Sequence, residues 1–168
     1  VGMLAAGLLF ESSFDSTSNV IRILDFSYSR ELLRSRRHEL SASISAAIQR
    51  NRVKGVVYHY SDRAGMIGIV GCSGIIASRS YNHPDGIYRP DGVYGTLIPP
   101  YANTTQQNLK AILYAKPGSR QVTHFVAVEN DPRWDHRTLG AESVIRAPRG
   151  MAVPVNVVSS SVNLMDLK

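Results

Sequence analysis

The chain has 168 residues, a length that fits one domain around a single sizeable core. With 43% hydrophobic, 8% aromatic and 19% charged residues it is not a disordered polyelectrolyte, and no stretch approaches the roughly 20 apolar residues of a membrane span. A formal charge of +6 suits an anionic partner, a nucleic acid or a phosphate-bearing ligand, although "RELLRSRRHE" (30–39) supplies part of the excess as a solvated helix face.

Taken in chain order, the apolar opening "VGMLAAGLLF" lacks a basic flank and is short for a secretory leader, so a buried first element is expected. A chain that opens on valine fits a processed product or a domain of a longer polypeptide. Residues 11–20 are serine-rich and read as a loop, and "VIRILDF" (20–26) alternates as a half-buried strand does. From Ser27 to about Ile48 apolar residues recur at three- and four-residue steps, one long helix or two short ones. The strand "VVYHY" follows, then a helix capped by Ser61 and ended by Gly71 and Gly74, then a short strand in "IIASRS". The stretch 81–100 carries two turn-forming Pro-Asp-Gly sequences, each followed by tyrosine, and reads as a long irregular loop. A threonine-capped helix over 104–115, a strand in "QVTHFVAVEN", an exposed loop over 131–141, and strands in "ESVIRAP" and "VPVNVVSSSV" complete the chain.

Several short strands with few intervening helices predict an α+β fold with antiparallel pairing. The expected division is an N-terminal strand and helix segment over 1–50, packed on a compact unit over 51–168. The single cysteine, Cys72, rules out an internal disulfide and is expected as a buried, inert thiol in "GIVGCSGII". The five histidines and this cysteine match no zinc spacing, so no metal is expected.

Four segments, "YHYSDRAGMIGIVGCSGIIAS", "DGVYGTLIPP", "VTHFVAVEN" and "AESVIRAP", resemble the histidine-tyrosine-aspartate signature family of ADP-ribosyltransferase toxin domains, a branch of the diphtheria-toxin and poly(ADP-ribose) polymerase-like group. The resemblance spans roughly residues 56–160, and residues 1–50 are not accounted for by it. It implies a split antiparallel sheet core and a site made of His59, Tyr94 and Glu142, with NAD as the substrate that is consumed. Glutamate replaces the aspartate of the family name, as in the wider group, and Glu129 competes for the acidic place.

The residue types suit the chemistry. Cleaving the nicotinamide-ribose bond passes through an oxocarbenium-like species that a carboxylate stabilises, the role of Glu142. A flat nicotinamide needs an aromatic wall, supplied by Tyr94 with Tyr101 as a second wall. By resemblance, His59 hydrogen-bonds the adenosine ribose, the backbone of Tyr60 holds the carboxamide, and Ser78 supports ring or carboxylate. Each residue alone has a plain structural alternative: a strand-end histidine, a turn tyrosine over the core, an edge charge. Their order along the chain and the flanking "GTLIPP" and "VTHFVAV" carry the reading.

The loop before Glu142 offers Trp134 for stacking, with Arg133, His136 and Arg137 for phosphates or acidic surfaces, while the alternative folds Trp134 inward as a hydrophobic plug. The acceptor is expected to be a protein or a nucleic acid, with a cognate inhibitor or immunity protein as a further partner. Such an enzyme would be a secreted or delivered effector acting in a target-cell cytoplasm, or cytoplasmic if endogenous, with no membrane partner. An NAD glycohydrolase and a non-enzymatic basic binding module are the alternatives. "GAES" has alanine where arginine-modifying relatives often carry a further acidic residue, which disfavours arginine as acceptor.

Overall fold

The computed structural model describes residues 42–82, 88–114, 120–137 and 140–166. The expected first element, the serine-rich loop, the strand at 20–26 and the arginine-bearing stretch of the early helix lie outside the described residues. Helix α1 occupies 42–52, four residues further than the periodicity alone suggested. Its apolar positions Ile44, Ala47 and Ile48 are buried, and the compact unit accordingly begins at Ala42 and runs to the end of the chain. Asn51 closes the helix as a buried clasp. Its Nδ2 donates to the carbonyls of Val56 (3.2 Å) and Leu97 (3.0 Å), and its Oδ1 accepts from the Tyr58 hydroxyl at 3.3 Å.

Strand β1 (Val56–Ser61) leads directly into helix α2 (Arg63–Cys72). The cap of α2 is Asp62 and not Ser61, since the Asp62 carboxylate accepts from the Gly65 N–H at 2.7 Å. Glycine does not end this helix either. Gly71 lies inside it, and Ser73 takes the left-handed position at φ 50°. Cys72 is exposed and not buried, because the last turn of α2 presents it on the outer side, with Sγ near the Gly74 carbonyl at 3.4 Å.

The remaining elements are β2 (Gly74–Ile76), β3 (Tyr81–Asn82), β4 (Tyr88–Arg89), β5 (Gly92–Gly95), α3 (Gln106–Tyr114), β6 (His124–Glu129), β7 (Asp135–Arg137), β8 (Glu142–Arg146), β9 (Ala152–Pro154) and β10 (Val157–Val162). Among the described residues every strand pair is antiparallel: β1-β6-β10, β5-β8-β7, β2-β9 and β3-β4. This is an α+β arrangement of helices and antiparallel sheet. The stretch 81–100 is therefore not an irregular loop. It holds β3, β4 and β5, strands so short that no period-2 pattern develops along them. The 131–141 loop likewise contains β7, and "VPVNVVSSSV" divides into β9 and β10 where Val155 N–H turns aside to the Ser73 carbonyl at 2.9 Å. Helix α3 has the expected threonine cap, Thr105 Oγ1 accepting from the Asn108 N–H at 3.1 Å.

Fully buried Val57, Val126 and Val128 supply the interior of the first sheet, and Val93 and Val144 that of the second. Two glycines let the backbone close. A Cβ on Gly95 would lie 2.5 Å from Val57 Cγ1 and 3.3 Å from the Trp134 ring, and one on Gly92 would lie 2.5 Å from the Ile145 carbonyl oxygen. Backbone cannot yield as a side chain does, so Gly92→Ala should cost about 1–3 kcal/mol, read as a lower urea midpoint with an unchanged m-value.

Candidate functional site

The site assembles along one edge of β5. Thr96 exchanges two backbone hydrogen bonds with Tyr58 (2.8 and 2.9 Å), and Gly92 exchanges two with Ser78 (2.7 and 3.1 Å). Between them the Tyr94 carbonyl accepts from His59 Nδ1 at 2.7 Å. Residues two apart on a strand aim their backbone groups at the same edge, so positions 92, 94 and 96 face β1 and Ser78, while Val93 and Gly95 face β8. By the same alternation the N–H and C=O of Tyr60, two residues past Tyr58, point toward the β5 edge.

A carbonyl oxygen only accepts, so the contact fixes the proton on Nδ1. In the neutral ring Nε2 is then left as an acceptor. Burial lowers the pKa of His59 below its ordinary 6.5, the Tyr94 carbonyl partly opposes that shift, and Arg120 reinforces it. His59 is thus built as a neutral, oriented hydrogen-bonding group.

Register places Tyr94 and Glu142 together. Tyr94 stands directly opposite Val144, and Glu142 is two residues from Val144 on β8, so all three side chains share one face. The segment Tyr88–Asp91 crosses that face. Arg89 Nε donates to Glu142 Oε2, and the Tyr94 hydroxyl donates to the Pro90 carbonyl. The Arg89 and Glu142 side chains are only 3% and 9% exposed, which makes this a buried ion pair. On the outer side of the segment an open groove of about 430 Å³ is bordered by Tyr88, Pro90, Asp91, Arg146 and Pro148.

The other sequence-predicted residues divide. Ser78 sits at the β5 edge, two positions from Tyr94 in the ladder. Tyr101 accepts from the Lys54 ammonium at 2.8 Å and neighbours the Tyr58 hydroxyl, on the face of β1 opposite His59. Burial, and next the Tyr101 contact, push the Tyr58 phenol up to about 12, so it stays a donor to Asn51. Glu129 faces away from His59, because it pairs with Val56, and it accepts from Asn156 Nδ2 at 2.8 Å. Glu142 is left as the carboxylate beside Tyr94.

Trp134 is turned inward against Gly95 and is 6% exposed, so it is a plug of the core and not an exposed stacking surface. Arg133 binds Asp131 and the Pro154 carbonyl (2.9 Å). Arg137 stands directly opposite Glu142 on β7 and binds Asp135 at 3.1 Å. His136 joins Ser143 Oγ (2.7 Å) to Asn130 Oδ1 (2.9 Å), a cross-strand fastening in which Ser143 is fully buried. Sequence reasoning missed Arg89, whose signal was the one arginine of the turn stretch 81–100, set between Asp85 and Asp91. Among the described residues no group of three His, Cys, Asp or Glu could hold a metal ion.

Glu142→Ala would remove the carboxylate ion-paired with buried Arg89 and should cost about 3–5 kcal/mol, whereas Arg89→Met combined with Glu142→Leu should recover most of that loss in urea denaturation. Because the folded pKa of His59 lies below its unfolded 6.5, the unfolded chain binds more protons in acid. Its contribution is complete above pH 6.5 and lost as pH falls through the folded value, so unfolding midpoints should drop from pH 7.5 to 5, and His59→Gln should flatten that profile. Compared with protein-family models, curated proteins and solved structures, the chain gives no significant match.

Proposed function

We propose that this chain is an ADP-ribosyltransferase that cleaves NAD at the nicotinamide-ribose bond, on the split antiparallel sheet that the sequence resemblance implies. The observation that carries the reading is the His59 tether to the Tyr94 carbonyl, with Tyr94 and Glu142 on one face of β5 and β8. The His59 ring reaches the backbone of Tyr94, the Tyr94 side chain shares a face with Glu142, and each residue has the chemical character its role needs.

In this reading the Nε2 of neutral His59 accepts from a ribose hydroxyl, and the Tyr60 backbone, aimed at the β5 edge, binds the carboxamide. Tyr94 stacks on the nicotinamide. As the C1′–N bond breaks, its electron pair leaves with neutral nicotinamide, and positive charge grows on the ribose. The Glu142 carboxylate stabilises that charge and holds the 2′-hydroxyl. A nucleophile on the acceptor then adds to C1′ and loses its proton. NAD is consumed, and the reading assigns no metal.

The acceptor is a protein or a nucleic acid, and a delivered effector with a cognate inhibitor is the setting the resemblance suggests. No helix of the described residues is long and apolar enough to cross a membrane. One observation favours water as the acceptor, that is, an NAD glycohydrolase. The loop before Glu142 has its tryptophan buried and ion-pairs Arg133 with Asp131 and Arg137 with Asp135, which leaves little there to grip a macromolecule.

Glu142→Gln keeps the shape and a hydrogen-bond acceptor for Arg89 while removing the charge. It should lower nicotinamide release about 10²–10³-fold at nearly unchanged affinity for NAD. Labelled NAD added to a lysate, followed by separate protease and nuclease digestion, reads the acceptor: label kept on macromolecules means transfer, and free ADP-ribose means hydrolysis. If the wild-type protein releases no nicotinamide, the enzymatic reading falls and a basic binding module stands.

A further inference from the structure

Glu142, the carboxylate assigned to the ribose, is occupied. Its partner Arg89 is almost wholly buried, and the neighbouring Pro90 carbonyl holds the hydroxyl of Tyr94. A carboxylate whose charge is compensated by a guanidinium offers little of that charge to a developing oxocarbenium ion. The stacking ring and the acid are thus both engaged by the same three-residue segment, Tyr88–Pro90.

We propose that Arg89 is the diphosphate ligand of this site, held on Glu142 in the empty protein and exchanged onto the phosphates of the entering dinucleotide. The inference rests on the functional reading above and extends it to the anionic half of the substrate. Three features support it. Arginine pairs with carboxylate and phosphate through the same planar fork, so one anion can replace the other without a new binding mode. The first phosphate of the dinucleotide hangs from the 5′ carbon of the very ribose that Glu142 would hold, so it enters within reach of a long side chain already docked on that carboxylate. Tyr88 and Pro90, which flank Arg89, border the 430 Å³ groove, and that groove also presents exposed Arg146 from the face of β8 that bears Glu142. The groove beside Arg89 is therefore bordered by a second cation and an exposed aromatic ring, suited to phosphates and to the ring system beyond them, with the Asp91 carboxylate, which accepts from the Ser80 N–H, at its rim.

Substrate entry then does two things at once. It removes the counter-ion from Glu142, which regains its charge for the bond-breaking step, and it draws Tyr88–Pro90 off the Tyr94 ring. A molecule with the same glycosidic bond but no phosphates would lack the means to do either.

Nicotinamide riboside is that molecule. Cleavage of NAD and of nicotinamide riboside is compared in the wild type, Arg89→Lys and Arg89→Gln. The expected result is that the preference for NAD over the riboside, as the ratio of kcat/KM values, falls about 10- to 100-fold in Arg89→Gln and less in Arg89→Lys. An unchanged ratio, with both substrates depressed alike, would show Arg89 to be only a support for Glu142 and would overturn the proposal. Because Arg89→Gln leaves a carboxylate unpaired and can unfold, a second measurement uses the unmodified protein. The Arg89 Nε–H resonance is followed while inorganic diphosphate is added. A saturating shift, absent for the same concentration of chloride, supports the exchange, and a resonance that does not move rejects it. That titration needs no turnover, so an inactive wild type would refute the enzymatic reading while the diphosphate result still decides the role of Arg89.

Discussion

Two backbone hydrogen bonds between Tyr58 and Thr96 tie the β1-β6-β10 sheet to the β5-β8-β7 sheet, and the geometry of the site follows from them. Strands β1 and β5 pair at this one rung. Continued regularly, the ladder would next place Tyr60 opposite Tyr94. Instead the Tyr94 carbonyl takes its hydrogen bond from the His59 side chain. A side chain in place of a rung keeps that carbonyl satisfied where the regular ladder stops. In the proposed reading a substrate would meet strand backbone, histidine and tyrosine together there.

The close approach at that rung needs small groups on one side and a rigid clasp on the other. Gly95 leaves room for Val57 and the Trp134 ring, and Asn51 joins α1, β1 and the Leu97 carbonyl through three buried hydrogen bonds. Trp134 is therefore spent on packing. Its burial holds the loop before Glu142 against the second sheet and withdraws from the surface the largest aromatic group of that loop.

In the proposed reading the Arg89–Glu142 pair sets stability against activity. A buried ion pair stabilises little compared with apolar packing, yet losing one partner is costly, so the pair commits the fold to a charged residue where the proposed chemistry would use one. His59 is arranged in the opposite sense. Burial lowers its pKa, and its tautomer is set by a carbonyl, so in the proposed reading it would bind without competing for the carboxylate.

The sequence by itself determined the types of most elements from residue 42 onward, because these rest on local signals: the apolar run opening "VVYHYS", alternation in "HFVAVE" and the helical period through Ile48; an ordered histidine, tyrosine and glutamate supplied the candidates for the site. It misread 81–100 as loop, since strands of two to four residues are defined by partners and not by pattern. Cys72, Tyr101 and Trp134 could not be oriented from local text, because a one-residue difference in facing reverses burial and only packing chooses the face. Tertiary structure alone decided that Arg89 meets Glu142 across 53 residues and that Tyr94 and Glu142 share a face, since both depend on strand register.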